Sequence, residues 1–319
     1  MSKLGRVSET LSDNFDEDLL LQEPISVWRR TFNRLMSRRS GKIGLLIIGF
    51  IFLIAFTAPI IAPYDPNEVL IGKEIVKLKK REGPCIHMLG CDSAKPQHIM
   101  GIDGNYRDQF SRIIYGSRIS LSIGFSTVSF AVTGGVLLGA LAAFFGGWID
   151  NIIMRVMDVI LGFPSLLLAI AIVAVLGPGI RNALLAIAIV TLPAYARLTR
   201  ASVLTVKELD FVKASIALGA SPTRLLLFRI LPNSLTPIVV LATLGIATAI
   251  LDAAGLSFLG LGAQPPTPEW GTMLGSERNQ VFSAPHLVFF PGIAIMITVL
   301  AFNLFGDGLR DALDPRLND

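Results

Sequence analysis

The sequence predicts an all-α polytopic membrane protein with six transmembrane helices. Three observations predict it. Of 319 residues, 52% are hydrophobic and only 16% are charged. Soluble domains carry about 25% charge, so there is too little here to cover a soluble surface. Apolar runs approaching or exceeding the ~20 residues that cross ~30 Å of hydrocarbon recur along the chain. Finally, Lys and Arg gather beside those runs, where they read as topology signals before nucleic-acid contacts.

The elements follow in order. Residues 1–42 form a polar tail, and 1–23 are acid-rich and read as disordered, with Asp13, Asp16, Glu17, Asp18 and Glu23. In 24–40, Trp28, Phe32, Leu35 and Met36 fall at helical spacing among Arg29, Arg30, Arg34, Arg38 and Arg39. That pattern suits a basic amphipathic helix in the headgroup plane. No cleavable leader is expected, because the first apolar run comes too late, and the first span should act as an uncleaved anchor. That span covers 43–63 and stops at Pro63-Tyr-Asp-Pro66. A polar loop over 64–117 follows. The core, 118–306, holds five further spans, near 119–145, 159–176, 183–196, 235–259 and 287–305. A hydrophilic segment, 197–230, separates the fourth from the fifth, and 307–319 is a short charged tail. Six spans put both termini on one side. The dense basic run before the first span and the larger share of the 28 Lys and Arg place that side in the cytoplasm.

Within the hydrophilic segment, two short helices should meet at Gly219. Gly219 can end the first in a left-handed cap, and Ser221 can cap the second with Pro222 at its first position. Phe211, Ala214, Ser215 and Leu218 share one small, apolar face with an aromatic knob, suited to a groove on another protein. An ordinary amphipathic loop lying on the membrane is the alternative.

Other residues invite functional readings. Asp158 and Asp252 lie in or beside apolar runs, where an acid is a candidate by default. Asp158 should pair with Arg155 one turn away. Asp252 has no local partner and should bond to another helix, line a pathway or carry protons. Gly135 and Gly139 form a small-x-x-x-small motif for close helix packing, within the chain or with a partner. Cys85 and Cys91 fit a disulfide in an oxidising exterior; with His87 and His98 they could instead form a metal set, though at no familiar spacing. No G-x-x-x-x-G-K-[ST] run occurs and there are three His, so no catalytic residue is assigned.

Lys213-Ala-Ser-Ile-Ala-Leu-Gly219 followed by Ile230-Leu-Pro232 resembles the Glu-Ala-Ala…Gly…Leu-Pro signature of permease subunits of binding-protein-dependent ABC importers. Lys213 stands at the Glu position and Ser215 at the second Ala. Gly101-Ile-Asp103, Arg107-Asp108, Gly116-Ser-Arg118, Leu256-Ser-Phe-Leu-Gly-Leu-Gly262, Glu269-Trp-Gly271 and Gly306-Asp-Gly-Leu-Arg310 are similar to the oligopeptide/dipeptide/nickel branch, to its second permease with the longer N-terminus. The resemblance covers about 25–317. It implies a type I ABC importer transmembrane domain in a prokaryotic cytoplasmic membrane. The implied partners are a homologous permease, two ATP-binding subunits and an extracytoplasmic solute-binding protein. The chain would bind no cofactor itself, ATP and Mg residing on the partners. Asp210, Phe211, Lys213, Ala214, Ser215, Leu218, Gly219 and Ala220 would form the coupling helix that docks on an ATPase. The long basic loop would receive the binding protein or cover the pore mouth. The implied cargo is a peptide, with nickel, glutathione or another small solute as alternatives.

Overall fold

The structure, a computed structural model, describes residues 27–74 and 78–313; segment 1–23, the start of the interfacial helix and the tail from 314 lie outside the described residues. Among these, eleven α-helices follow one another: α1 Val27–Ser37, α2 Arg39–Ile61, α3 Gln109–Phe145, α4 Gly147–Leu161, α5 Ser165–Leu176, α6 Ile180–Lys207, α7 Asp210–Ala217, α8 Pro222–Leu225, α9 Leu231–Phe258, α10 Trp270–Glu277 and α11 His286–Leu313. A π-turn, Leu226–Ile230, fuses α8 to α9. Five helical stretches are long and apolar enough to cross a membrane, and α4 with α5, bent by 93°, makes a sixth when counted as one broken span.

The centre interleaves bulky aliphatic and aromatic side chains with alanines. Ile48, Ile51 and Ala55 of α2 meet Leu121, Val128 and Ala131 of α3, Tyr195 of α6, Ile246 and Ile250 of α9 and Phe302 of α11. A second cluster joins Val173 of α5, Ile187 of α6 and Leu256 of α9. Where there is no side chain, backbones touch. A Cβ on Gly44 would stand 2.5 Å from the Phe305 nitrogen, and one on Gly135 would stand 2.9 Å from the Ala196 nitrogen. The Gly135/Gly139 motif is therefore the seam between α3 and α6, with Gly139 against Ala196 and Thr199.

Several boundaries differ from the sequence expectation, each for a local reason. α3 begins ten residues before 119, because Asp108 caps it by accepting from the Ser111 N–H at 2.7 Å. Its 37 residues make a rod of about 55 Å, so its polar first turns stand beyond the hydrocarbon. α6 runs past 196 to Lys207, carrying Pro193 inside it. The expected third span is broken at Gly162-Phe-Pro164, where a proline removes a helix donor and biases the preceding residue away from the helical region. Asp158 pairs with Arg197 of α6 rather than with Arg155, and Asp150 takes Arg200 in a two-pronged contact at 2.5 Å.

At the N-terminal end of α3, residues 62–74 and 78–108 fold into a cap over α3, α10 and the start of α11. The Asp108 carboxylate caps α3 with one oxygen and faces His98 Nδ1 at 2.8 Å with the other. Asp103 holds Arg107 at 2.7 Å; Arg112 Nη1 donates to the Pro66 and Pro266 carbonyls. Arg81 reaches Glu277 of α10 at 2.8 Å, and Glu277 also accepts from the Gly104 N–H. Tyr64 stacks on His98 and donates to Glu74 at 2.9 Å. Burial, then that carboxylate, push the Tyr64 hydroxyl up to about 12, so it remains a donor.

Candidate functional site

The opposite end of α3 carries the candidate site, the connector between α6 and α9. Leu209 is extended and starts α7, with Asp210 in the first turn where a negative charge suits the helix dipole. Val212 alone of α7 is fully buried, among Val203, Val206, Leu225, Leu226 and Ile230. That single anchor orients the helix. Phe211 is 40% exposed, Ile216 55% and Leu218 89%, and Lys213 and Ala214 also face outward. Leu218 and Gly219 then close the helix. Gly219 adopts φ +81°, and the Ala220 N–H returns to the Ser215 carbonyl at 3.1 Å, the paired geometry that left-handed helix ends require. Ser221 precedes Pro222 as expected, but its hydroxyl makes no capping bond.

The predicted residues Phe211, Ala214 and Leu218 thus share an outer surface, while the Ser215 hydroxyl is turned back onto the Phe211 carbonyl at 2.7 Å. Lys213 lies 3.5 Å from Glu208, both largely exposed. Such a pair contributes little to stability, so Lys213 stays available to another surface. Beyond Gly219, Arg224, Phe228 and Arg229 border the groove that runs from α7 to the π-turn. Among the described residues, no three His, Cys, Asp or Glu converge to hold a metal ion. An apolar helix face presented to solvent, flanked by cations, suits docking rather than bond-making.

The remaining predicted residues lie elsewhere. Cys85 and Cys91 form a disulfide in the cap with Cα atoms 5.4 Å apart, which closes a turn that exposes Met88 and Leu89. The metal alternative fails on geometry, since both sulfurs are consumed, His87 faces the Lys95 carbonyl and His98 faces Asp108. Asp252 of α9 makes no hydrogen bond or ion pair with a described residue, so the helix–helix bond expected of it is not made within the described chain. Sequence reasoning missed the cap network, and it placed Glu269 only within a resemblance, missing its capping role. Buried Glu269 caps α10 by accepting from the Gly271 and Thr272 N–H groups at 2.9 and 2.8 Å. A carboxylate two and three residues before those donors was a readable capping signal.

Comparison with known proteins agrees with this architecture. Residues 135–319 match the family described as binding-protein-dependent transport system inner membrane component. Residues 26–79 match the N-terminal TM domain of oligopeptide transport permease C. The chain is 47% identical over 293 residues to the dipeptide transport system permease protein DppC of Alkalihalophilus pseudofirmus, covering 92% of this chain and 91% of that one. It is 46% identical to the di/tripeptide transport system permease protein DppC of Pseudomonas aeruginosa, over 95% and 96% of the two chains. It is 44% identical to the glutathione transport system permease protein GsiD of Pectobacterium atrosepticum, over 91% and 90%. Among solved structures, an inward-facing MetNI methionine ABC transporter aligns with a TM-score of 0.53 at 18% identity, covering 64% of this chain and 97% of that chain. The fold is accordingly that of a type I ABC importer transmembrane domain. The chain belongs to the binding-protein-dependent transport system inner membrane component family, as an ABC importer permease rather than an enzyme.

Proposed function

We propose that this chain forms half of the translocation pathway of an ATP-driven importer of di- or oligopeptides. It pairs with a homologous permease, rests on two ATP-binding subunits that hold Mg-ATP, and receives cargo from an extracytoplasmic solute-binding protein. Both termini lie in the cytoplasm. The cap then faces outward and α7 inward, onto an ATPase. The observation that carries this reading is the free face of α7: Phe211, Ala214 and Leu218 stand clear of the chain while Val212 ties the helix to α6 and the π-turn. A push on that face is transmitted to the long helices through packed side chains.

The peptide substrate is supported by the two relatives named for di- and tripeptide transport. The relative named for glutathione transport supports a second reading, glutathione, which is itself a tripeptide.

Ala214→Arg and Gly219→Asp test the docking. Ala214 points away from the fold, so Ala214→Arg should reach the membrane at wild-type levels; an Asp at Gly219 has open space at its Cβ but strains the left-handed φ of +81°, so membrane levels are measured beside uptake for that variant. Peptide uptake should fall to background, and the ATPase should no longer copurify. Wild-type uptake and ATPase stimulation in both would sink the assignment.

A further inference from the structure

In the apolar stretches of this chain, 43–62, 119–145, 165–176, 183–196, 231–258 and 287–305, there is one formally charged residue, Asp252. Ionisable groups in membrane helices face a water-filled cavity, a partner or one another. The neighbours of Asp252 on α9 are spoken for: Ala249, Ile250, Ala253 and Leu256 are buried in the two apolar clusters. Asp252 itself is only half-buried, and its carboxylate has no partner among the described residues.

It does not stand alone on its face. Thr248, Asp252, Gly255 and Leu259 follow at helical spacing and form one row. Thr248 and Leu259 are exposed, and a Cβ on Gly255 would meet nothing within 4 Å. The uncovered face of α2 is different in kind. It presents Leu46, Phe50, Leu53, Phe56 and Ile60, large apolar side chains suited to acyl chains. Leu251 and Leu259 are exposed beside Asp252 and the Thr248 hydroxyl is spent on the Gly245 carbonyl, so what sets this face apart from that of α2 is a carboxylate, unpaired among the described residues, beside bare backbone, a poor lipid surface. Together these make a good wall for a wet passage with room beside it.

We infer that Asp252 is a cation contact on the translocation pathway, where it meets the α-ammonium group of a passing peptide. The inference deepens the peptide-importer reading and rests on it. Charge complementarity selects the occupant. Every peptide with a free N-terminus brings one ammonium, and the apolar stretches of this chain supply no Lys or Arg to neutralise the acid. A single half-buried carboxylate beside water holds such a group weakly, and that suits a route that must also let it go.

Both native cysteines are paired, so Thr248→Cys introduces a single reactive thiol one turn from Asp252. In the assembled transporter in vesicles, that thiol is labelled with cationic and anionic methanethiosulfonates of equal size, both membrane-impermeant. Relative to their rates with a free thiol in solution, the cationic reagent should be favoured at least threefold, the scale of one charge a few ångströms away in a wet site. Adding Asp252→Asn should bring the ratio to about one. Reaction only with a membrane-permeant maleimide would place the row against lipid and overturn the inference. Labelling in the isolated permease but not in the assembly would overturn it too, placing Asp252 against the second permease. In the uptake arm, Asp252→Asn should lower the maximal rate about tenfold at unchanged half-saturation, with Asp252→Glu restoring most of it. Full uptake by Asp252→Asn overturns the ammonium contact while leaving the peptide reading standing. A wild-type assembly that moves no peptide, yet keeps the reagent selectivity, overturns the peptide reading and leaves the cation site standing.

Discussion

The two ends of α3 are built on opposite plans. At its N-terminal end, the cap closes most of its polar groups on itself: Asp108 serves α3 and His98, Glu277 serves Arg81 and Gly104, and Arg112 serves two proline carbonyls, while His98 Nε2 is left without a hydrogen bond among the described residues. At the other end, α7 holds to the chain by Val212 and leaves an aromatic and two aliphatic side chains in solvent. Buried polar groups left unmatched are costly, so a surface that satisfies its own hydrogen bonds is finished when folded. An apolar face left open is finished only by a partner. The difference separates a cap that is largely complete within the chain from a connector that presents an open apolar face.

The comparison can be broken by substitutions that should separate stability from transport. Asp108→Ala strips the α3 cap and leaves His98 buried without its partner, and should destabilise by roughly 2–4 kcal/mol, visible as a lower melting temperature in detergent. A Cys85→Ser, Cys91→Ser pair opens a short loop and should cost about 2 kcal/mol by loop-closure entropy, with a matching shift on reduction of the wild type. Val212→Ala removes the anchor of α7 and should cost about 1–2 kcal/mol, felt locally as faster proteolysis within 208–222 while the cap retains its protection. Lys213→Ala should move stability by less than about 0.5 kcal/mol, because its pair with Glu208 is exposed. A loss of uptake in that last variant at unchanged melting temperature would sharpen the contrast, by placing Lys213 on the docked face.

Most of the span pattern was legible, because a run such as Ile43 to Ala62 has no other use for its composition. What hid from the sequence was polar structure made at a distance. Gln109 to Ser117 reads as loop, yet it is the start of α3, since the cap shields most of those residues. Arg197 and Arg200 read as the end of a span, yet α6 continues through them, since Asp158 and Asp150 of the neighbouring helix neutralise both. The same effect misdirected Asp158 to Arg155, the nearest cation in sequence rather than in space. Arg81 and Glu277 are separated by 196 positions, and no periodicity connects them. In the connector, the left-handed turn at Gly219 and the open face of α7 were readable because both depend on local spacing. Which residue would anchor α7 was not, because Val212 is chosen by helices that arrive from three other parts of the chain.

The glycine contacts between α2 and α11 also bear on how the protein is made. Gly44 lies on the backbone of Phe305, and Gly308 lies on Gly41. At ~5–20 residues per second of synthesis, the first helix to enter the bilayer waits on the order of tens of seconds for the last one. Until then its glycine notches lack the α11 backbone that fills them in the folded chain. The seam between α2 and α11 can close only once both helices are in the bilayer, which makes it a late step of assembly.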